Sequence, residues 1–305
     1  MARSSRRGRE IDGLLLLDKP LGLSSNAALQ RVRATFRAAK AGHAGSLDPL
    51  ASGMLPIGFG QATKVCGRLL NSGKTYLVDV QLGARTPSAD GETPVIERAP
   101  VPALAPEAVD AVLATFTGAQ QQIPPMHSAL KFEGKRLYEL ARRGESVERP
   151  ARAIMIHRLQ RMDVGPDRLQ FEVHCSKGVY VRTLAEDIAV RLGTLGYVRA
   201  LRRLSVDPFG GRPMYALEIL EAMDPARLET LLLPADAAFD DLPRVDLGGA
   251  AERGLLLGQS VRPSQPAPGG ELRVYGAGGR FLGLGEGLGD GRLKPVRLFV
   301  PGAGA

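Results

Sequence analysis

The chain is 305 residues long, with 44% hydrophobic and 24% charged residues, a balance that excludes a disordered polymer and allows a sizeable buried core. Lysine and arginine outnumber aspartate and glutamate by 40 to 32, and the resulting sequence pI near 9.8 favours a polyanionic partner such as nucleic acid. Cys66 and Cys175 stand far apart without C-x-x-C spacing, and no apolar run reaches the length of a membrane span. A disulfide framework, a zinc site and a membrane anchor are therefore not expected, and a reducing cytoplasm is.

Residues 1–10 carry Arg3, Arg6, Arg7 and Arg9 and read as a flexible basic arm. Gly13 to Leu17 predicts a buried strand that ends in a turn at Asp18-Lys19-Pro20. Ser24 or Ser25 then caps a helix running to about Ala38, with Ala28, Val32 and Phe36 at helical spacing. Glycine and proline are dense from Gly42 to Gly60, which predicts a functional loop of about 12 to 18 residues. Tyr76 to Leu82 alternates like a strand, and Pro106 to Thr117 reads as a helix with Gly118 near its C-terminal cap.

Pro124-Pro125 opens an excursion over residues 124–152 that holds Lys131, Lys135, Arg136, Arg142, Arg143, Arg149 and Arg152 against four glutamates. Such a stripe suits phosphate contact or a solvated helix face. Strands near Ile154 to Met162 and Leu169 to Cys175 follow, then a helix from about Arg182 to Leu192. After Pro243 the composition shifts to glycine with short apolar pairs, which predicts a small β-barrel over residues 244–305. No heptad or exposed apolar stretch suggests a partner face, so a monomer is expected.

Two phosphate-binding motifs fail on inspection. Ser72-Gly73-Lys74-Thr75 ends like a phosphate loop, but the required earlier glycine position holds Arg68, and the alternating glycines Gly283 to Gly289 lack a strand-to-helix context. The string from Gly42 to Gly53 is more specific. It places His43, Ser46 and Asp48 between glycines that allow close backbone approach to a ligand, with Pro49 stiffening the residue after the aspartate.

This string, followed by Leu55-Pro56-Ile57-Gly58 and Ala62-Thr63-Lys64, resembles the catalytic motif of the bacterial tRNA pseudouridine synthase B family. Three further stretches match in order: Leu17-Asp18-Lys19-Pro20 with Gly22 and Ser24-Ser25-Asn26, then Pro125-Met126 with Ser128-Ala129-Leu130-Lys131 and Gly134-Lys135, and His174-Cys175-Ser176-Lys177-Gly178 with Tyr180 and Arg182-Thr183. The specific motifs span residues 12 to 215, and the C-terminal part matches by position and strand pattern. Two departures bear on RNA contacts. Ala44-Gly45-Ser46 stands where the family favours an additional hydroxyl, and His127 stands where a tyrosine is commoner.

The resemblance implies an α+β catalytic domain over residues 11–243, with a mixed, mainly antiparallel sheet flanked by helices, and a PUA-like RNA-binding barrel after it. It implies isomerisation of uridine to pseudouridine in the T-loop of tRNA, with extrusion of the target base. Substrate and product are isomers, so no cofactor and no metal is expected. By resemblance Asp48 is the nucleophile, toward the sugar's anomeric carbon or C6 of the base, and Arg182 pairs with it to keep it ionised. Tyr76 stacks on the uracil, with a hydroxyl that can assist proton removal at C5, while Tyr180 and Leu201 line the pocket. His43, which chemistry alone would suggest as a general base, inserts into or stacks against the RNA, and Lys19 supports the pocket or contacts phosphate. Lys131, Lys135, Arg136, Arg142 and Arg143 are the candidate contacts to the backbone of the T-arm.

Overall fold

The computed structural model describes residues 8–128 and 130–299, without the side chain of Lys131. The first half holds β1 (Gly13–Lys19), α1 (Ser25–Thr35), β2 (Ala41–His43), β3 (Ala51–Phe59), α2 (Cys66–Asn71), β4 (Lys74–Leu82), β5 (Ala84–Arg85) and β6 (Glu97–Arg98). After them come α3 (Pro106–Thr115), β7 (Gly118–Gln122), β8 (Lys131–Phe132), β9 (Lys135–Arg136) and α4 (Leu137–Ala141). The next elements are β10 (Arg152–Val164), β11 (Arg168–Cys175), α5 (Val181–Arg191), β12 (Gly196–Val206), β13 (Tyr215–Ala216), α6 (Leu217–Ala222) and α7 (Pro225–Leu228). The chain closes with β14 (Arg244–Asp246), α8 (Gly249–Leu256), β15 (Gly270–Tyr275), β16 (Phe281–Gly287) and β17 (Leu293–Leu298).

Nine strands form one sheet in the order β13-β1-β3-β12-β4-β11-β10-β7, with β2 paired on β3. Only β1 with β13 and β3 with β12 run parallel among its pairs, so the sheet is mixed and mainly antiparallel. The leucine run of β1 is continuous because both of its faces are covered. Leu15 and Leu17 pack with Val32 and Phe36 of the α1 segment, while Leu14 and Leu16 pack on the opposite face. Ser24 caps α1 by accepting from Ala27 N at 3.1 Å. Helix α5 buries Leu184, Ala185, Ile188 and Ala189 against Val78, Val80 and Val198 of the central strands.

Three local expectations change. Strand β1 continues through Asp18 and Lys19. The long loop expected from Gly42 to Gly60 shrinks to residues 44–50, because Ala51–Phe59 is a strand buried between neighbours. Gly53, Pro56 and Gly58 disguised it: β3 meets β12 over Ala51–Gly53 and β2 over Ile57–Phe59, leaving Pro56 in the gap where no amide is required on that side. The basic arm is already docked at Arg9, whose amide donates to Arg37 O. Residues 1–7, with Arg3, Arg6 and Arg7, lie outside the described residues.

The C-terminal sheet runs β14-β15-β16-β17 and carries helix α8, which the glycine-rich sequence did not foretell. It has a core of its own, with Val245, Leu255, Leu272, Val274 and Leu293 among its members, and a second cluster ties it to the rest. Leu284, Phe299 and the preceding Phe239 join Leu14, Leu16, Met54 and Val65 in one buried cluster. Among the described residues no helix is long and apolar enough to cross a membrane.

Gly53 has φ of +100°, and a Cβ there would stand 2.2 Å from Arg203 O across the β3–β12 pair. Gly67, on α2, has no atom within 4 Å of the corresponding position. Gly53→Ala is expected to destabilise the fold by about 2 kcal/mol or more, whereas Gly67→Ala is expected to stabilise it by about 0.5–1 kcal/mol. Urea denaturation of the two variants beside the parent chain checks both signs.

Candidate active site

The fork of the sheet places the loop 44–50 at its mouth, since β2 leaves at His43 and β3 enters at Ala51. The loop is pinned on both sides of Asp48. Leu47 donates to Ser25 Oγ at 2.7 Å and accepts from it at 3.0 Å, and Ser25 is itself buried at the start of α1. Beyond the aspartate, Pro49 O accepts from Gly22 N at 2.8 Å and Ala51 N closes a turn onto Asp48 O at 3.0 Å. Backbone constraint thus fixes the loop, while the carboxylate of Asp48 stays half exposed.

Arg182, in the first turn of α5, reaches this carboxylate with Nη2 3.1 Å from Asp48 Oδ2. The guanidinium is nearly buried and has three other partners. Asp90 Oδ2 lies 3.3 Å from Nη1, Ser88 O accepts at 2.9 Å, and His127 O accepts from Nη2 at 2.9 Å. Asp90 is buried as well, its other oxygen receiving Ser88 Oγ at 2.6 Å and Glu92 N at 3.0 Å. One cation therefore spans two carboxylates, an arrangement that offsets the cost of burying the guanidinium.

Tyr180 caps α5, and Gln122 clasps its backbone from both sides, receiving Tyr180 N at 2.8 Å and donating to Tyr180 O at 3.1 Å. Leu201 of β12 lines a cleft with Asp48, Leu50, Asp90, Arg182 and Arg199. Tyr76 of β4 lies opposite Arg203 of β12. Burial pushes the Tyr76 hydroxyl above its ordinary pKa, with the Arg203 cation opposing that rise, so the phenol keeps its proton at neutral pH. His43 is half-buried on β2, where burial and then the charge of Arg203 lower its pKa, so it is neutral near pH 7.

Lys19 is fully buried and donates to Pro20 O at 2.8 Å and Leu23 O at 2.6 Å, which closes it to phosphate and makes it a support of the loop ahead of α1. Lys74 is similarly occupied. Its ammonium donates to Leu69 O, Leu70 O and Ser72 O at the end of α2, and burial, then Arg203, brings its pKa down to about 8. The Gly73-Lys74-Thr75 string is thus a helix cap entering a strand rather than a phosphate cradle. Of the excursion's basic residues, Lys135 and Arg136 lie on the β8–β9 hairpin, with Arg142 and Arg143 just after α4, all four exposed. The side chain of Lys131 is outside the described residues.

Sequence reasoning missed Asp90, Ser88, Arg203 and Gln122. Thr86-Pro87-Ser88-Ala89-Asp90-Gly91 reads as an ordinary turn. Its only signal is that a connection between short strands carries so many side-chain acceptors. Arg203 sits among four arginines, where charge gives no hint that it is the one 1% exposed, donating to Met54 O at 2.6 Å and Gly45 O at 3.0 Å.

Comparison with known proteins follows the same lines. The family pattern described as TruB family pseudouridylate synthase (N terminal domain) matches residues 33–181. The patterns described as tRNA pseudouridylate synthase B C-terminal domain and Pseudouridine synthase II TruB, C-terminal, match residues 182–240 and 243–299. The tRNA pseudouridine synthase B of Nitrosococcus oceani is 46% identical over 301 residues, covering 98% of each chain. That of Sodalis glossinidius is 46% identical over 308 residues, covering 98% of this chain and 99% of the relative. A crystal structure of a Cbf5-Nop10-Gar1 complex contains a chain that superposes with a TM-score of 0.72 at 20% identity, over 95% of this chain and 85% of that one, a likeness of fold. Identity of this order along nearly the whole length shows that the chain belongs to the TruB family of tRNA pseudouridine synthases.

Proposed function

We propose that the enzyme converts the T-loop uridine at position 55 of tRNA to pseudouridine, with Asp48 as nucleophile and the target nucleotide flipped into the cleft beside it. The observation that carries this reading is the Asp48–Arg182–Asp90 chain of contacts at 3.1 and 3.3 Å, opening on a cleft walled by Leu201. A half-exposed carboxylate braced by a buried guanidinium is free to attack an electrophilic carbon, the anomeric carbon of the sugar or C6 of the base. The N1 glycosidic bond breaks, a bond forms from C5 to the same sugar carbon, a proton leaves C5 and one arrives at N1. The atoms balance without an oxidant or a reductant.

The protonated phenol of Tyr76 offers a ring face for the uracil and a hydroxyl toward C5. Extrusion of the nucleotide costs a few kcal/mol of stacking and pairing. Neutral His43 at the mouth suits the gap left in the RNA, and Lys135, Arg136, Arg142 and Arg143 suit its phosphates. Recognition by the shape of a folded RNA loop fits a chain rich in arginine with only 5% aromatic residues.

Purified protein and unmodified tRNA transcript, without added cofactors, are expected to yield one carbodiimide-dependent reverse-transcription stop at the T-loop uridine. Asp48→Asn is expected to lower that product by at least about a thousandfold while tRNA binding persists. Modification at another uridine would overturn the site, and product from Asp48→Asn would overturn the nucleophile. Binding without modification by the parent chain would leave an RNA-binding protein in place of the enzyme. Asp90→Asn removes the buried carboxylate beside Arg182 Nη1 and leaves that nitrogen with Ser88 O alone, and it is expected to reduce kcat by about a hundredfold. Single-turnover kinetics on the same transcript measures it, and an unchanged kcat would remove Asp90 from the catalytic arrangement.

A further inference from the structure

Helix α4 turns Leu137 and Leu140 into the protein and leaves Tyr138 half-buried on its outer side. Two guanidinium groups flank this ring, Arg142 at 5.5 Å and Arg136 at 5.9 Å from its centroid. Both stand off farther than a stacked pair. Arg244 lies 3.9 Å from the Tyr275 ring and is at the same time bound to Asp246. Arg136 and Arg142 make no carboxylate pair among the described residues, although Glu133, Glu139, Glu145 and Glu148 belong to the same segment. Elsewhere the arginines of the sheet and the C-terminal part are mostly tied to aspartate or glutamate. The excursion therefore presents an aromatic ring beside two cations that the protein itself has not neutralised.

Its position is also informative. Tyr138 N donates to Ser128 O at 3.1 Å, and the carbonyl of the adjacent His127 accepts from Arg182 at 2.9 Å. Tyr138 is thereby joined through residues 127 and 128 to the guanidinium that contacts Asp48. A second aromatic, Phe132 on β8, is 40% exposed, whereas most other phenylalanines among the described residues are buried. Among the described residues Phe132 is the one exposed phenylalanine, and it lies on the same excursion as Tyr138.

We propose that Tyr138 is a stacking platform for a nucleobase of the RNA adjoining the extruded uridine, with Arg136 and Arg142 moving from the ring edge onto the flanking phosphates. The proposal rests on the RNA substrate assigned above. Every base has a π-face, so the contact adds affinity without demanding a particular sequence. Unpaired guanidinium groups next to a ring meet both parts of a nucleotide, the flat base and the charged phosphate. The ring supplies a partner for a base that loses its neighbour when the uridine leaves the stack.

The chain contains no tryptophan, so Tyr138→Trp creates a single fluorescent reporter at the platform. Titration with a T-arm stem-loop RNA is expected to quench its emission. Tyr138→Leu is expected to raise the Kd about tenfold, and Tyr138→Phe, which restores the ring, to recover most of that loss. Unquenched emission at saturating RNA would overturn the proposal, as would Tyr138→Leu binding like the parent chain. If Tyr138→Leu fails to fold by circular dichroism, the emission of Tyr138→Trp decides alone. Pseudouridine formation by the parent chain in the same stem-loop is scored separately. Quenching without product would sink the assigned reaction and leave the platform standing, while product without quenching would do the reverse.

Discussion

The arrangement depends on one guanidinium. Arg182 is held by α5 at a fixed depth, and its four partners, two carboxylates and two backbone carbonyls, come from three different pieces of chain: the loop 44–50, the connection between β5 and β6, and His127 at the base of the basic excursion. None of these pieces is regular structure with its own ladder of hydrogen bonds at that point. A planar, always charged fork with five donors suits such a task better than a lysine, whose single ammonium cannot serve acceptors in several directions at once. Burying that charge is costly unless it is matched, and the buried carboxylate of Asp90 lies 3.3 Å from it. Asp48 can therefore remain at the surface of the cleft, braced but not consumed by its partner.

Beneath the loop lies a layer of cations with a different kind of satisfaction. Lys19, Lys74 and Arg203 are all buried, and each spends its donors on backbone carbonyls: Pro20 and Leu23, the end of α2, and Gly45 with Met54. Carbonyl dipoles satisfy the hydrogen bonds without cancelling the charge. The net result is a positive floor under the loop, in which burial lowers the pKa values of Lys19, His43 and Lys74 and neighbouring Arg203 lowers them further, opposed at Lys19 by Asp48. Arg203 also fixes geometry. It ties Gly45, before Asp48, to Met54, inside β3, so the loop is strapped across the fork it fills.

Elements that carry their own pattern were legible in the sequence. The leucines of β1, the capping serine and 3.6-residue spacing of α1, and the proline-to-glycine frame of α3 each repeat a local rule often enough to be read without a fold. Strand β3 was hidden because its glycines answer to neighbours that are distant in sequence: Gly53 is required by the close approach of Arg203 O, and Gly58 by the carbonyl of Ala62. The site divided along the same line. Asp48, His43 and Arg182 stand in strings specific enough to be matched to a family, while Asp90 and Arg203 acquire their roles only when the sheet brings their strands together. Lys19 shows the converse: a lysine beside a candidate loop looks like a phosphate contact until its surroundings turn it inward.

The C-terminal sheet adds one more step. Ala44 of the loop and Met54 of β3 belong to the same buried cluster as Phe239, Leu284 and Phe299. Lys64 fastens that junction by donating to Leu298 O at 2.9 Å, and Arg68 does so through Glu271 at 2.6 Å. Close-packed interiors transmit displacement, so the side chains behind Ala44 and Met54 help to determine where the loop stands. The order of the chain conceals this. Residues more than two hundred positions after Asp48 form part of the wall on which its loop rests, and the positive floor, the fork and the C-terminal sheet act on that loop as a single packed unit.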